Sequence, residues 1–383
     1  RATRLFQIAA AAGACTLMAG LWLAPQRTWA NLLLLSFGLL GLGLGSLLWI
    51  ALHHVTGARW SRPLLCVPEA MSSVLPISAA GLAIVLLFRP SLYPWSAPSF
   101  AHEASSSLQR FWLTRPFFLV RAVTYLASWL LFGALLARAS RDRLMAADAA
   151  PRRKTLALSA AFLVVFGVTC WLASYDWIMS LEPKWASTIF GVYNFAGLFV
   201  SGLAAATLLI IWLRRHSSLQ DVVTDDHLHD LGTLLFAFSS FWMYIWFCQY
   251  MVIWFANNPE ETVYYLRRAS GAWPSLAIAN VVLGWGIPFL ALLFRRAKRT
   301  AKTLGTVAVL ILVGRWIDLY LMIFPSQGDL VPTPGPIEAG LLLGGVGVFG
   351  LTVFRALEMA PHGPGTATGL FVKTRQTCAK PHG

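Results

Sequence analysis

The run TLALSAAFLVVFGVTCWLASYDWIMSLE, Thr155–Glu182, decides the fold. Its only formal charges are Asp176 and Glu182, both near its end. At about 1.5 Å rise per residue, the apolar part alone covers the roughly 30 Å of a bilayer core. No proline and no period-two alternation divides it into strands. The run predicts a transmembrane helix with a carboxylate, Asp176, held at membrane depth.

Nine further stretches read the same way. The expected spans are 5–25, 30–52, 66–88, 116–138, 155–182, 186–213, 231–257, 273–294, 303–324 and 336–358. They predict an all-α integral membrane domain over 1–358, followed by a basic cytoplasmic tail, 359–383. The first span resembles a signal sequence in length only. It lacks a cleavage-site pattern and nine spans follow, so we read it as a helix that stays.

Composition agrees. Of 383 residues, 57% are hydrophobic and only 12% charged, where a soluble domain carries about 25%. The 17 Trp and 24 Phe suit aromatic belts at the two interfaces. The net charge of +14 sits in short loops, so it marks topology and anionic lipid and excludes a nucleic-acid partner. The basic runs Arg138–Lys154 and Arg295–Lys302 lie on the side of the N-terminus. The opposite side carries only Arg27, Arg89, Arg110, Arg115, Lys184, Arg267 and Arg268. Both termini are therefore expected in the cytoplasm.

Redox and metal chemistry find little foothold. The five cysteines, Cys15, Cys66, Cys170, Cys248 and Cys378, form no Cys-x-x-Cys pair, which excludes an Fe–S ligand set, a c-type haem attachment and a zinc site on this chain. A haem b needs two well-placed axial His, and the membrane region has only the adjacent His53 and His54 at a helix end. No cofactor, metal or redox centre of its own is expected. The stretch Asp221–Asp230 has metal-like residue types, but Asp ahead of a helix is ordinary N-capping. The glycines Gly38, Gly41 and Gly45, and later Gly340 and Gly344, form small-xxx-small patterns for close helix approach.

Charges inside the spans are the functional candidates, because ionisable groups in hydrocarbon are costly and cannot face lipid. By running direction, Arg121, Asp176, Arg315, Asp318 and Glu338 all fall in the outer third. Arg315 and Asp318 are three apart, on one helix face. The expected arrangement sets Arg121 opposite Asp176, and Arg315 beside Asp318 or Glu338. A second set, His53, His54 and Glu69, lies on the cytoplasmic side. Between the two depths stand only hydroxyl and aromatic residues such as Thr124, Tyr125 and Thr169. These sets read either as ion pairs pinning helices or as two half-paths for protons. The outer loop Arg89–Arg115 is read either as a cap on its own bundle or as a docking element. Tyr175-Asp176-Trp177 in span five and Trp316-Ile317-Asp318-Leu319-Tyr320 in span nine match in depth and direction. They suggest two parallel four-helix bundles, spans 2–5 and 6–9, with spans 1 and 10 flanking.

Two runs carry a family resemblance. Ser174–Pro183 (SYDWIMSLEP) and Phe238–Met251 (FSSFWMYIWFCQYM), continued by Ile253–Thr262 (IWFANNPEET), resemble a membrane subunit of bacterial alternative complex III. That subunit belongs to the NrfD-like family of polysulfide-reductase membrane anchors, and the resemblance extends over nearly all ten spans. It implies a bacterial inner-membrane component of a quinol:electron-acceptor oxidoreductase in a respiratory or photosynthetic electron-transport chain. Implied partners are a second NrfD-like subunit (ActC), a pentahaem cytochrome, an Fe–S protein, a monohaem cytochrome, small membrane subunits and lipids. Haem c and Fe–S clusters would sit in those partners, with quinone or quinol in the complex. The family's buried acidic position falls on Asp176, with a proposed proton path. Gln249, Tyr250, Asn257 and Asn258 stand where a quinone head could be bound, or where a helix end is capped against a neighbouring subunit; we favour the latter. Two other classes compete: a purely structural anchor, and a secondary transporter. Against the transporter, no inverted repeat is visible, and Pro76 and Pro288 are the only candidates for broken helices.

Overall fold

A computed structural model describes residues 2–58, 60–100, 106–145, 152–216, 222–328, 332 and 335–359. Cys378, Asp221 and the tail beyond Met359 lie outside the described residues. Ten helices are long and apolar enough to cross a membrane: α1 (Thr3–Leu23), α2 (Pro25–Thr56), α3 (Arg62–Phe88), α4 (Arg115–Ser140), α5 (Arg153–Leu181), α6 (Phe190–His216), α7 (Asp225–Ala256), α8 (Trp273–Leu292), α9 (Ala301–Gln327) and α10 (Pro336–Glu358). No strand occurs among the described residues. The chain is a multi-pass membrane protein. We call the face on which α1 begins proximal and the other distal.

The helices close into two rings. In the first, α2 packs on α3 and α5, and α4 joins α3 to α5; in the second, α6 packs on α7 and α9, and α8 joins α7 to α9. The rings meet along α2 and α6, which run parallel. A Cβ on Gly45 would meet Leu198 O at 3.0 Å and Gly202 Cα at 3.2 Å, so the backbones touch there. The two bundles expected from the Asp176/Asp318 match are thus present, with their first helices side by side. The flanking helices α1 and α10 pair antiparallel through Gly13 and Gly344. A Cβ on Gly344 would stand 2.6 Å from Gly13 Cα. Both glycine patterns serve close packing, which in hydrocarbon supplies the attraction that the hydrophobic effect cannot.

Several boundaries differ from expectation. Helix α2 starts at Pro25, not 30, because Pro at N1 is pre-organised for a helix. Arg27 and Asn31 are therefore helical. Helix α7 starts at Asp225, not 231; the Thr224 N–H donates to His227 Nδ1 at 3.2 Å, and Asp225 and Asp226 occupy the first turn. The acidic stretch is a helix start, with Asp225 paired to Arg214 and Asp226 to Arg299. Pro76 and Pro288 are each accompanied by an irregular turn, since proline cannot donate to the carbonyl four residues earlier. Before Pro76, α3 is interrupted at Ser73–Val74; before Pro288, α8 passes through a π turn at Val282–Gly286. These are the second helix of one bundle and the third of the other. They are not a corresponding pair.

Candidate functional site

Near the distal face, α5 brings Asp176 against α4. Asp176 is 1% exposed. Arg121 donates to it in a fork, Nε to Oδ2 and Nη2 to Oδ1, both at 2.8 Å. Tyr125, one turn further along α4, donates its hydroxyl to Oδ2 at 3.0 Å. Trp112 Nε1 donates to Oδ1 at 2.9 Å. The carboxylate has four donors, matching its lone-pair capacity. The Trp112 and Phe117 rings also lie under the guanidinium, 4.1 and 4.4 Å from Cζ, a geometry that stabilises a desolvated cation.

Trp112 comes from the Arg89–Arg115 segment, which caps its own bundle. Tyr93 donates to Trp177 O at 3.1 Å, Trp95 Nε1 to Ser180 Oγ at 3.1 Å, and Gln109 to Pro183 O at 2.7 Å. Tyr93, Trp95 and Phe100 are buried.

The second bundle repeats the chemistry with different connections. Asp318 on α9 accepts from Arg315 of the same helix and from Tyr193 on α6. Asn280 on α8 adds a donor at 3.2 Å. Arg315 also donates to Asn194 Oδ1 at 3.3 Å. Gly197, one turn below Asn194, makes the room; a Cβ there would stand 2.5 Å from Arg315 Cζ. The π turn of α8 lets Gly284 pack on Gly314, one residue before Arg315.

Glu338 does not join Arg315. It pairs with Arg27 Nε at 2.6 Å and accepts from Asn31 at 2.8 Å and from the Gly335 N–H at 2.8 Å. Starting α2 five residues early put this basic partner within reach. No family model matches this chain, and no curated protein matches it.

A fourth distal pair escaped the sequence reading. Glu182, just after α5, lies 2.9 Å from Arg268 Nη2, and Arg268 Nε donates to Leu321 O at 2.9 Å. The guanidinium rests 3.3 Å over the Tyr264 ring, which stacks on Trp185 at 3.9 Å. Burial pushes the Tyr264 phenol up to about 12, with Arg268 pulling the other way. Glu182 is the last residue of its expected span, but Arg268 falls in a loop between spans, where charge is ordinary. A Pro-Glu-Glu helix start followed by Arg-Arg at its end was the available signal.

On the proximal side, Glu69 of α3 accepts from Ser140 of α4. His53 lies 2.7 Å from Ser61 Oγ, and its ring meets His54 edge-on at 5.5 Å. Both His occupy the last turn of α2, at its end as expected. The stretch of α4 between the two depths is mostly apolar. Trp129 donates to Thr169 at 2.8 Å, while Thr124 bonds only its own helix and faces outward. From Trp129 to Ser140, about 16 Å of α4 carries Leu, Phe, Gly, Ala and Arg138.

The α7 candidates do not converge. Gln249 is buried and Tyr250 is exposed on the next face, stacked on Trp246. Asn257 ends α7 in the left-handed region at φ 47°, a conformation Asn tolerates. Asn258 Oδ1 accepts from the Glu260 N–H at 3.3 Å and starts the helix Pro259–Arg268. Both asparagines are caps.

Proposed function

We propose that this chain is an ActF-type subunit, NrfD-like, of a quinol:electron-acceptor oxidoreductase in a bacterial inner membrane. Both termini lie in the cytoplasm, so the distal face is the outer one. There it meets ActC, the pentahaem and monohaem cytochromes and the Fe–S protein, which hold the redox centres. The reading rests on the two quoted runs together with one observation: a buried Asp–Arg–Tyr constellation at matching places in two parallel four-helix bundles. A carboxylate beside a fixed guanidinium and a phenol can exchange a proton when its hydrogen-bond partners shift, as intramembrane acids in proton pathways do. A proton entering from Glu69 and the His pair would need water across the apolar stretch of α4.

A tag on this chain should retrieve a complex with c-type haem absorption bands. In that complex, Asp176→Asn should lower the protons moved per electron while leaving haem content unchanged. Unchanged coupling favours the anchor reading, which the four donors to Asp176 also support. Absence of haem from the purified material would remove the complex reading altogether.

A further inference from the structure

Between the two bundles lies a cavity of about 410 Å³, within the size range of small-ligand sites. It runs alongside the α2–α6 contact at Gly45 and Gly202, and Gly38 and Gly41 of α2 line it without a side chain. Helix α10 covers it from outside, with Phe349 and Phe354. Along α6 the lining runs from Asn194 to Leu209, about 22 Å at 1.5 Å per residue. The slot thus lies along the helices.

Its walls are mostly apolar: Arg315, Asn194 and Ser174 line the distal end, and Ser201 further down donates its hydroxyl to Gly197 O of its own helix. Arg315 carries five N–H donors in a planar fork; Nη1 serves Asp318 and Nη2 serves Asn194. A cavity this apolar stays dry along most of its length, and in a bilayer the available filling is hydrocarbon. The charge of Arg315 is already balanced by Asp318, so an anionic head would bring an uncompensated charge to membrane depth. A neutral carbonyl would not.

We propose that the slot binds one long-chain neutral molecule, its carbonyl head accepting from Arg315 and its chain extending toward Phe354. An isoprenoid quinone and an ester-linked acyl chain of a phospholipid share this chemistry. The inference rests on the cavity alone and stands apart from the quinol-complex reading.

The test uses the full chain in phosphatidylcholine nanodiscs with two photoreactive probes. One is a benzoquinone with a diazirine at the end of a ten-carbon tail, the other a phosphatidylcholine with a diazirine at the end of an acyl chain. Saturable labelling of the Leu208–Leu209 or Phe349–Phe354 segments by either probe is expected, and which probe labels identifies the source. Gly41→Leu fills one wall and Leu312→Trp the facing one; each should cut labelling by about tenfold or more, a loss of about 1.4 kcal/mol. Leu343→Trp, on an exposed face of α10, should not. If Gly41→Leu fails to fold, Leu312→Trp carries the test. Labelling that is unsaturable with both probes, or unchanged in the filled variants, overturns the proposal.

Discussion

Asp176 and Asp318 sit at equivalent places in two equivalent bundles, yet they are neutralised in opposite ways. Asp176 takes its arginine from a different helix, so the ion pair ties α4 to α5 and, through Trp112, to the distal cap. Asp318 takes its arginine from its own helix three residues away, and the ties to α6 and α8 are neutral donors, Tyr193 and Asn280. In one bundle charge neutralisation and helix assembly are the same interaction. In the other the cation neutralises Asp318 within one helix and reaches α6 only through Asn194, at 3.3 Å. Removing a charge should therefore cost the first bundle its packing and its electrostatic balance together, and the second bundle mainly its balance.

The largest expected effect follows directly. Arg121→Leu leaves a buried carboxylate without its cation and removes two of its four donors, so that only Tyr125 still joins α4 to it, a cost of about 3–5 kcal/mol. Arg315→Leu strands Asp318 as well but keeps the Tyr193 and Asn280 ties, so its loss should be the smaller of the two. Thermal unfolding in detergent, followed by Trp fluorescence, ranks them; the reverse order breaks the comparison.

Next comes Gly197→Ala. Its Cβ would press on the guanidinium of Arg315, and overpacking of this kind costs about 1–3 kcal/mol. Gly133→Ala in the first bundle, whose Cβ would only reach Leu47 and Leu75 at 3.4 Å, should be much milder. Equal losses would mean that the room beside Arg315 is not tightly set.

Tyr125→Phe and Tyr193→Phe each remove one donor to a carboxylate, worth about 1.5–3 kcal/mol for a charged acceptor. Asp176 retains three donors after the change and Asp318 two. Tyr193→Phe should therefore destabilise more, a difference the same melting series resolves.

Trp112→Phe is the mildest. It deletes one indole donor to the same charged acceptor, but the site is only part-buried and a ring can still lie under Arg121, so the loss falls at the low end of that range, about 1.5 kcal/mol. Proteolysis of the Arg89–Arg115 segment should then accelerate, because that donor links the cap to Asp176. An unaltered cleavage rate would show that Tyr93 and Trp95 alone hold the cap down.

Legibility followed the length scale of each interaction. Arg315 with Asp318 was readable because helix geometry fixes an i,i+3 pair. Arg121 with Asp176 was readable from depth, since charges sunk equally far in neighbouring antiparallel helices have few other partners. Glu338 remained open between partners, because its true one, Arg27, depended on where α2 begins. Glu182 with Arg268 was not readable as a pair: a loop charge such as Arg268 carries no depth signal, and the helix signal at Pro259–Arg268 names no partner. The aromatic and glycine residues that shape the sites, Trp112, Tyr193 and Gly197, look the same in sequence as dozens of packing residues.

Runs of apolar residues long enough to cross hydrocarbon determined by themselves the ten membrane-crossing helices found among the described residues, because in lipid every backbone N–H and C=O must be paired within its own segment. The same solvent rule determined that the few charges inside those runs turn toward protein. Which charge meets which, how the α2–α6 contact opens into a slot, and that the distal loop closes over Asp176 were decided only by the tertiary structure. Those outcomes depend on distances between helices, and nothing in the local pairing of one helix specifies where its neighbour stands.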